Sequence, residues 1–415
     1  MPPSLFIALR FISHRRKAIL LSLTGVVLGV AFFICVQAQT QGFEQFFIKT
    51  VLGSSGAIII QDRFQTLYTG ALEPAADSVV SVTGQKPRRY TEGITDPETM
   101  MRTVEEFSNV AACSPVLDGN AAVRADFRQE VFRVQGIDLE RHLRTTALRE
   151  QIVDGDLAEF RQKPNGVILG YNLARNVGAN VGQEVLLVGP DGSTMPFIVC
   201  AIFQTGNISI DEKRGLLHIG AARRLLRKPF GVSLLMVKLR DPARAPQLAT
   251  HLERLLQHRA RSWQERERGN LQIFRLIHVS GIITVSTIIL LAGFSIFNIL
   301  TLMVLDKVRE IAVLRSMGYR RRDISAVFLW QGLLIAAIGS ALGCAVGAAL
   351  TYGISKIPVN IRGLLTTSHF LVHWSVGHYL VASLIAFVAI FLASYFPARR
   401  AAKLAPVTIL RGGGQ

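Results

Sequence analysis

Residues 306–324 read DKVREIAVLRSMGYRRRDI, and six of these nineteen residues are Lys or Arg. The stretch separates two apolar runs, 276–305 and 324–354, of thirty and thirty-one residues. About 20 helical residues cross a hydrocarbon core about 30 Å thick. Each run can therefore span a bilayer, and at about 1.5 Å per residue each reaches about 45 Å, so it must tilt or project. Two further runs qualify: 18–36 and 379–396 hold nineteen and eighteen residues without a charge. At this length only a helix satisfies its own backbone in lipid.

The first run has a rival reading as a cleaved signal peptide. Arg10, Arg15, Arg16 and Lys17 precede it, and Val36-Gln37-Ala38 resembles a cleavage site. Its nineteen residues exceed the roughly 7–15 of a signal core, which favours a retained anchor. The expected division is a cytoplasmic amphipathic N-terminus at 1–17, spans at 18–38, 276–305, 324–354 and 377–396, an insert at 39–275, the basic segment 306–323, a loop at 355–376 and a tail at 397–415. The fold class is thus a membrane protein of four transmembrane α-helices with a large α/β extracytoplasmic domain inserted between helices one and two.

The composition agrees with a mixed chain. Of 415 residues, 50% are hydrophobic and 18% charged, with a mean hydropathy of +0.34. The net charge of +17 could signal nucleic acid, anionic lipid or topology, and its distribution decides. Segments 1–17, 306–323 and 397–415 hold four, six and four basic residues against three acids, Asp306, Glu310 and Asp323, whereas the loop 355–376 holds only Lys356 and Arg362. By the positive-inside rule both termini and the basic segment are cytoplasmic, and the insert and the last loop lie outside. The charge is mostly topological, and no nucleic-acid partner is expected.

Within the insert, 57–61 reads as a strand, 97–107 as a short helix, and 109–116, 119–126 and 129–136 as strands with turns at Asp118-Gly119 and near Arg128. A strand at 166–169, a helix at 171–177 stopped by Gly178, and strands at 184–188, 196–203 and 232–239 follow. The run 245–259 reads as a helix with Leu248, Leu252, Leu255 and Leu256 on one face. The stretch 66–95, rich in Gly, Pro, Ser and Thr, reads as a loop, and a division into two subdomains falls near 154–164. Cys113 and Cys200 sit in the insert; a disulfide there needs Cα atoms within about 7 Å, and the sequence is compatible with either state.

As a helix, the basic segment places Val308, Ile311, Ala312, Leu314 and Arg315 on one side, with Val313 and Met317 extending the apolar surface and Gly318 as the stop. Such a helix either lies on the inner leaflet or docks into a partner and passes force to the spans beside it. In the spans, Gly339, Gly343 and Gly347 recur every four residues, and Gly25 and Gly29 do the same. Rows of small residues let helices approach closely, within one subunit or across a dimer. Asn298 and Gln331 are amides in apolar surroundings that call for interhelical bonds. Phe43, Phe46 and Phe47 follow the first span, as interfacial aromatics or as contacts for an acyl chain.

The stretches DKVREIAVLRSMGYRRRDISAVFLWQGLLIAAIGSALGCAVG, SLFIALRFI, GVVLGVA, QGFEQ, GVILGYNLARNVGANVGQEVLLV, SWQER, LIHVSGIITVSTIILLAGFSIFNIL and YFPARRAAKLAPVTILRG resemble, in that family's order, ABC-transporter permeases of the lipoprotein-releasing (LolC/LolE) type and their MacB and FtsX relatives. The resemblance covers nearly the whole chain. It implies a multi-pass protein of the bacterial inner membrane whose residues Glu310, Ile311, Leu314, Arg315, Met317 and Gly318 belong to a coupling helix seated in a separate ATPase subunit, present in two copies. The chain carries no GxxxxGK[ST], HExxH or GxSxG motif, so no catalytic, cofactor or metal site is assigned to it; ATP and Mg are expected on the partner. The resemblance further implies a second permease subunit (homo- or heterodimer) with Asn298 near the interface, membrane lipids, and a lipoprotein or other amphiphilic cargo released from the outer leaflet.

One departure concerns a periplasmic carrier. Relatives that recruit one use an elongated hairpin, whereas the corresponding connection here, 189–196, is short, GPDGSTMP. The alternatives within the superfamily are MacB-like export of amphiphiles or peptides and FtsX-like signalling to a cell-wall hydrolase. MacB-type chains carry a fused ATPase in front, and seventeen residues precede the first span here.

Overall fold

The computed structural model describes residues 6–8, 10, 16–62, 93–125, 128–357, 360–361, 365–366 and 370–403. Most of the expected loop 66–95 and the tail from residue 404 lie outside them. The chain forms two compact units: a helical unit (Met1–Phe46, Gln272–Val359, Ser368–Gln415) and a sheet unit (Phe47–Leu271, Asn360–Thr367).

Four long helices, Arg16–Ser55, Arg268–Asp306, Arg321–Ser355 and Val376–Lys403, are apolar enough to cross a membrane. Helices that are apolar all round suit lipid, which accepts the face their neighbours leave uncovered. In the helical unit Val26, Val30, Phe33 and Ile34 of the first meet a core containing Val285, Ile289 and Ile296 of the second, Phe328 and Ile335 of the third, and Ala386 and Ile390 of the fourth. Leu290, Leu291 and Phe294 face outward. The glycine rows lie inside this packing. A Cβ at Gly25 or Gly29 would stand 3.3 Å from Ala292 Cβ or 3.1 Å from Ile289 Cγ1. At Gly339, Gly343 and Gly347 it would stand 2.8, 2.7 and 3.1 Å from Val26, Val30 and Ala31. Both rows are thus used for contacts within the chain.

Among the described residues the main sheet of this unit contains ten strands: β1 Ile58–Gln61, β2 Val110–Ala125, β3 Arg128–Ile137, β4 Ile152–Gly155, β5 Gly166–Gly170, β6 Glu184–Val188, β7 Thr194–Phe203, β8 Arg214–His218, β9 Leu234–Leu239 and β10 Arg259–Ser262. Their order is β10-β1-β9-β2-β3-β8-β5-β7-β4, with β6 bridging β2 and β7. The pairings β2–β3, β3–β8, β8–β5, β5–β7, β7–β6 and β6–β2 therefore close a ring of six strands. One apolar cluster unites residues of that ring, among them Val123, Phe132, Leu169, Leu187, Val199 and Leu217.

Three expectations for the insert are corrected here. Asp118-Gly119 is no turn, because both residues pair within a single long β2, opposite Gln135 and Val134. Gly119 is needed for close approach instead: a Cβ there would lie 2.7 Å from the Leu226 methyls. The division near 154–164 does not part the sheet, since β8, late in the chain, inserts between β3 and β5. The helix expected at 245–259 ends at Leu256, and it buries Ala245, Ala249 and Leu252 while Leu255 stays exposed. The helix Tyr171–Val177 stops, as expected, at Gly178 with φ +75°. Cys113 and Cys200 are free buried thiols that belong to different apolar clusters, and burial pushes Cys113 up to about 12.

His142 is buried, with Ser114 Oγ 3.5 Å from its Nδ1. Burial, with Arg214 nearby, lowers its pKa from 6.5 to about 3. The unfolded chain binds this proton below about pH 6.5 and the folded chain does not. Stability from this group is therefore complete above that pH and is lost as pH falls toward 3, at about 1.4 kcal/mol per pH unit. Denaturation of the full chain at pH 6.5 and pH 5 should show about 2 kcal/mol less loss for His142→Gln than for the wild type; equal losses would refute this assignment.

Candidate functional site

The expected coupling segment forms one short helix, Val308–Ser316. It ends in a paired turn: the Gly318 N–H donates to the Arg315 carbonyl at 3.2 Å and the Tyr319 N–H to the Leu314 carbonyl at 3.2 Å. This is a Schellman stop, which requires a left-handed residue; Gly318 supplies it at φ +98° with nothing within 4 Å of a would-be Cβ. Its role is conformational, and the space around it is open. Leu314 and Tyr319 pack together against the helical core, which fixes the exit direction of the chain.

The helix has two different sides. Ile311 and Ala312 are 1% and 2% exposed and belong to the core of the helical unit. Arg309, Val313 and Met317, four residues apart, form an exposed row, with Val313 48% and Met317 74% exposed. Glu310 is exposed beside this row and forms an ion pair with Lys307. Arg315 is half-buried. The six expected residues are thus divided by the structure: Ile311 and Leu314 anchor the helix to its own chain, while Glu310 and Met317 face outward together with Arg309 and Val313. Burial removes Ile311 from any contact surface. Phe6, Ile7 and Arg10 close one side of a groove of about 640 Å³ against Lys307, Arg309 and Val313. The signal that could have pointed to them is the helical spacing of Phe6, Ile7 and Arg10 next to a charge cluster.

The remaining candidates lie elsewhere. Asn298 is exposed on the second long helix, whereas Gln331 is 1% exposed on the third. Phe43 packs against Phe274 with ring centroids 5.7 Å apart. Phe46 is half-buried, and Phe47 packs on the core of the sheet unit.

Two family models account for both units. The FtsX-like permease C-terminal model matches residues 282–406, and the MacB-like periplasmic core domain model matches residues 19–255, more than half of the chain. The chain is similar along its length to the lipoprotein-releasing system transmembrane protein LolC of Neisseria meningitidis (23% identical, covering 98% of each chain) and to that of Xylella fastidiosa (26%, covering 99% of each). The macrolide export ATP-binding/permease protein MacB of Agrobacterium fabrum is 25% identical, matching 96% of this chain but 58% of its own length. A MacB-like match that runs from the first of four apolar helices through the sheet unit, followed by an FtsX-like segment, places this chain in the MacB/FtsX superfamily.

Proposed function

We propose that this permease works with two copies of a separate ATPase subunit and a second permease subunit to release lipoproteins from the outer leaflet of the bacterial inner membrane. The observation that carries this reading is the two-sided helix Val308–Ser316. One side is sunk in the core through Ile311 and Ala312, and the other presents Arg309, Val313 and Met317. A helix so anchored cannot slide on its own chain, so a push on its free side moves the long helices that flank it. Those helices, Arg268–Asp306 and Arg321–Ser355, begin or end within a few residues of it. The concentration of Lys and Arg in 306–323 supports a cytoplasmic position for this helix, where ATP is available. ATP-driven closure of the partners then switches the permease between two states.

The connection between β6 and β7 is a tight turn in which the Gly189 N–H donates to the Ser193 carbonyl at 2.8 Å. It supports a subunit that leaves carrier docking to its permease partner. The test is reconstitution of this chain with its ATPase, its permease partner and an acylated protein in proteoliposomes. ATP should release the acylated protein into solution, and an ATPase-dead partner should not. Equal release from both would end the proposal. ATP-dependent loss of a non-acylated amphiphile alone would favour MacB-like export, and capture of a cell-wall hydrolase without acylated cargo would favour FtsX-like signalling.

A further inference from the structure

A helix leaves its last carbonyls without partners in its own ladder. At the end of the helix Arg16–Ser55 these groups are taken up by distant parts of the sheet unit. Gly56, left-handed at φ +67°, returns its N–H to the Leu52 carbonyl at 3.1 Å. The Gly53 carbonyl accepts from the Ala147 N–H at 2.8 Å. The Ser54 carbonyl accepts from Arg214 Nη1 at 3.0 Å, and the Gly56 carbonyl from Arg266 Nη2 at 3.1 Å. Ala57 then joins the sheet, donating to the Val237 carbonyl and accepting from the Trp263 N–H, both at 2.8 Å.

The two arginines are unusual choices for this task. Burial lowers both to about 10, so both stay charged at neutral pH. Among the described residues neither forms a salt bridge. Asp118 and Asp211 act on Arg214 from a distance, opposed by Arg133. Both side chains are half-buried, Glu267 acts on Arg266 and the two cations oppose each other, so placing them side by side without a direct ion pair is costly. What both cations meet is the negative end of the first long helix, where the macrodipole and the orphan carbonyls favour positive charge. Their positions in the chain are also informative. Arg214 opens β8, within the six-stranded ring, and Arg266 lies two residues before the start of the helix Arg268–Asp306. One residue ties the end of the first long helix to the ring, and the other ties it to the root of the second long helix.

We propose that Arg214 and Arg266 are positioning residues for force transmission, fastening the last turn of the first long helix to β8 and to the root of the second so that helix end and sheet move as one body. The role rests on the transport reading above; the fastening itself does not. It is tested in the full chain, reconstituted with its ATPase and its permease partner, using Arg214→Met, Arg266→Met and the conservative Arg214→Lys and Arg266→Lys. Hydrogen exchange at the Gly56 and Ala57 amides reads the fastening, and acylated protein released per ATP hydrolysed reads the coupling. Loss of one charged hydrogen bond should speed exchange by at least about tenfold. It should also lower release per ATP by at least about tenfold while the partner's ATP hydrolysis continues. The lysine variants retain a charge and a donor and should recover part of both. Unchanged exchange in both methionine variants overturns the proposal, and so does faster exchange with release per ATP intact. If the wild type releases nothing, the transport reading fails instead, and the fastening is then upheld by faster exchange or overturned by unchanged protection.

Discussion

Replacing Val313 and Met317 together by Asp should lower ATP-driven release by at least about tenfold, because docking would bury two carboxylates without partners and each factor of ten is about 1.4 kcal/mol. Both side chains point away from the chain's own core, at 48% and 74% exposure. Neither residue belongs to the buried core of the helical unit, so insertion and folding should change little. The partner ATPase should no longer copurify, or should hydrolyse ATP without driving release. Ile311→Asp is the necessary contrast: Ile311 is 1% exposed, and a buried charge without a partner would unfold the helix from its core. If the double variant copurifies with the ATPase and releases cargo at the wild-type rate, the free side of this helix is not the docking surface. A substitution at Gly318 would answer less clearly. Its φ of +98° means that any side chain strains the Schellman stop, so lost coupling could reflect a redirected helix.

Gly343→Leu should destabilise the helical unit by about 1–3 kcal/mol or more, the range for overpacking a filled core. A Cβ at Gly343 would lie 2.7 Å from Val30 Cβ and 3.1 Å from the Val27 carbonyl oxygen. Neither can rotate away, because one atom is the branch point of a β-branched side chain and the other is backbone. Gly332 makes the comparison useful. Its would-be Cβ is confined in the same way, 2.7 Å from Ser394 Cβ, which no rotamer change moves, so Gly332→Leu should be destabilised to a similar degree. Gly353, with nothing within 4 Å, is the control on the same helix. Thermal unfolding in detergent should rank Gly343→Leu well below Gly353→Leu; equal midpoints would show that the first and third long helices do not pack through this row.

Much of the membrane architecture is legible from composition, because lipid imposes one requirement on every residue of a span. Uninterrupted apolar length is therefore nearly sufficient to find the four helices. Glycines at left-handed turns are similarly legible: Gly178 and Gly318 were expected as stops and have φ of +75° and +98°. The same residue type misleads where it serves contact. Gly119 reads as a turn after Asp118, but it lies in mid-strand beneath Leu226.

The candidate site was legible only as a segment. Periodicity grouped Ile311, Leu314 and Met317 as one apolar surface, but a helix of nine residues can have two apolar sides, and only its neighbours decide which is covered. Arg214 and Arg266 left no mark at all, since two arginines in a chain with 46 Lys and Arg carry no pattern. Local sequence thus determined what each stretch must avoid: water for the spans and lipid for the basic segments; glycine marked the stops at Gly178 and Gly318, though Arg227 and Gln257 end their helices at positive φ without it. The tertiary structure alone decided which residues meet: the closure of the ring by β6 against β2, the side of the coupling helix left free, and the two cations at the end of the first helix. The physical reason is that solvent preference and backbone conformation belong to single residues and short windows, whereas contact requires two segments far apart in the chain to arrive at one place.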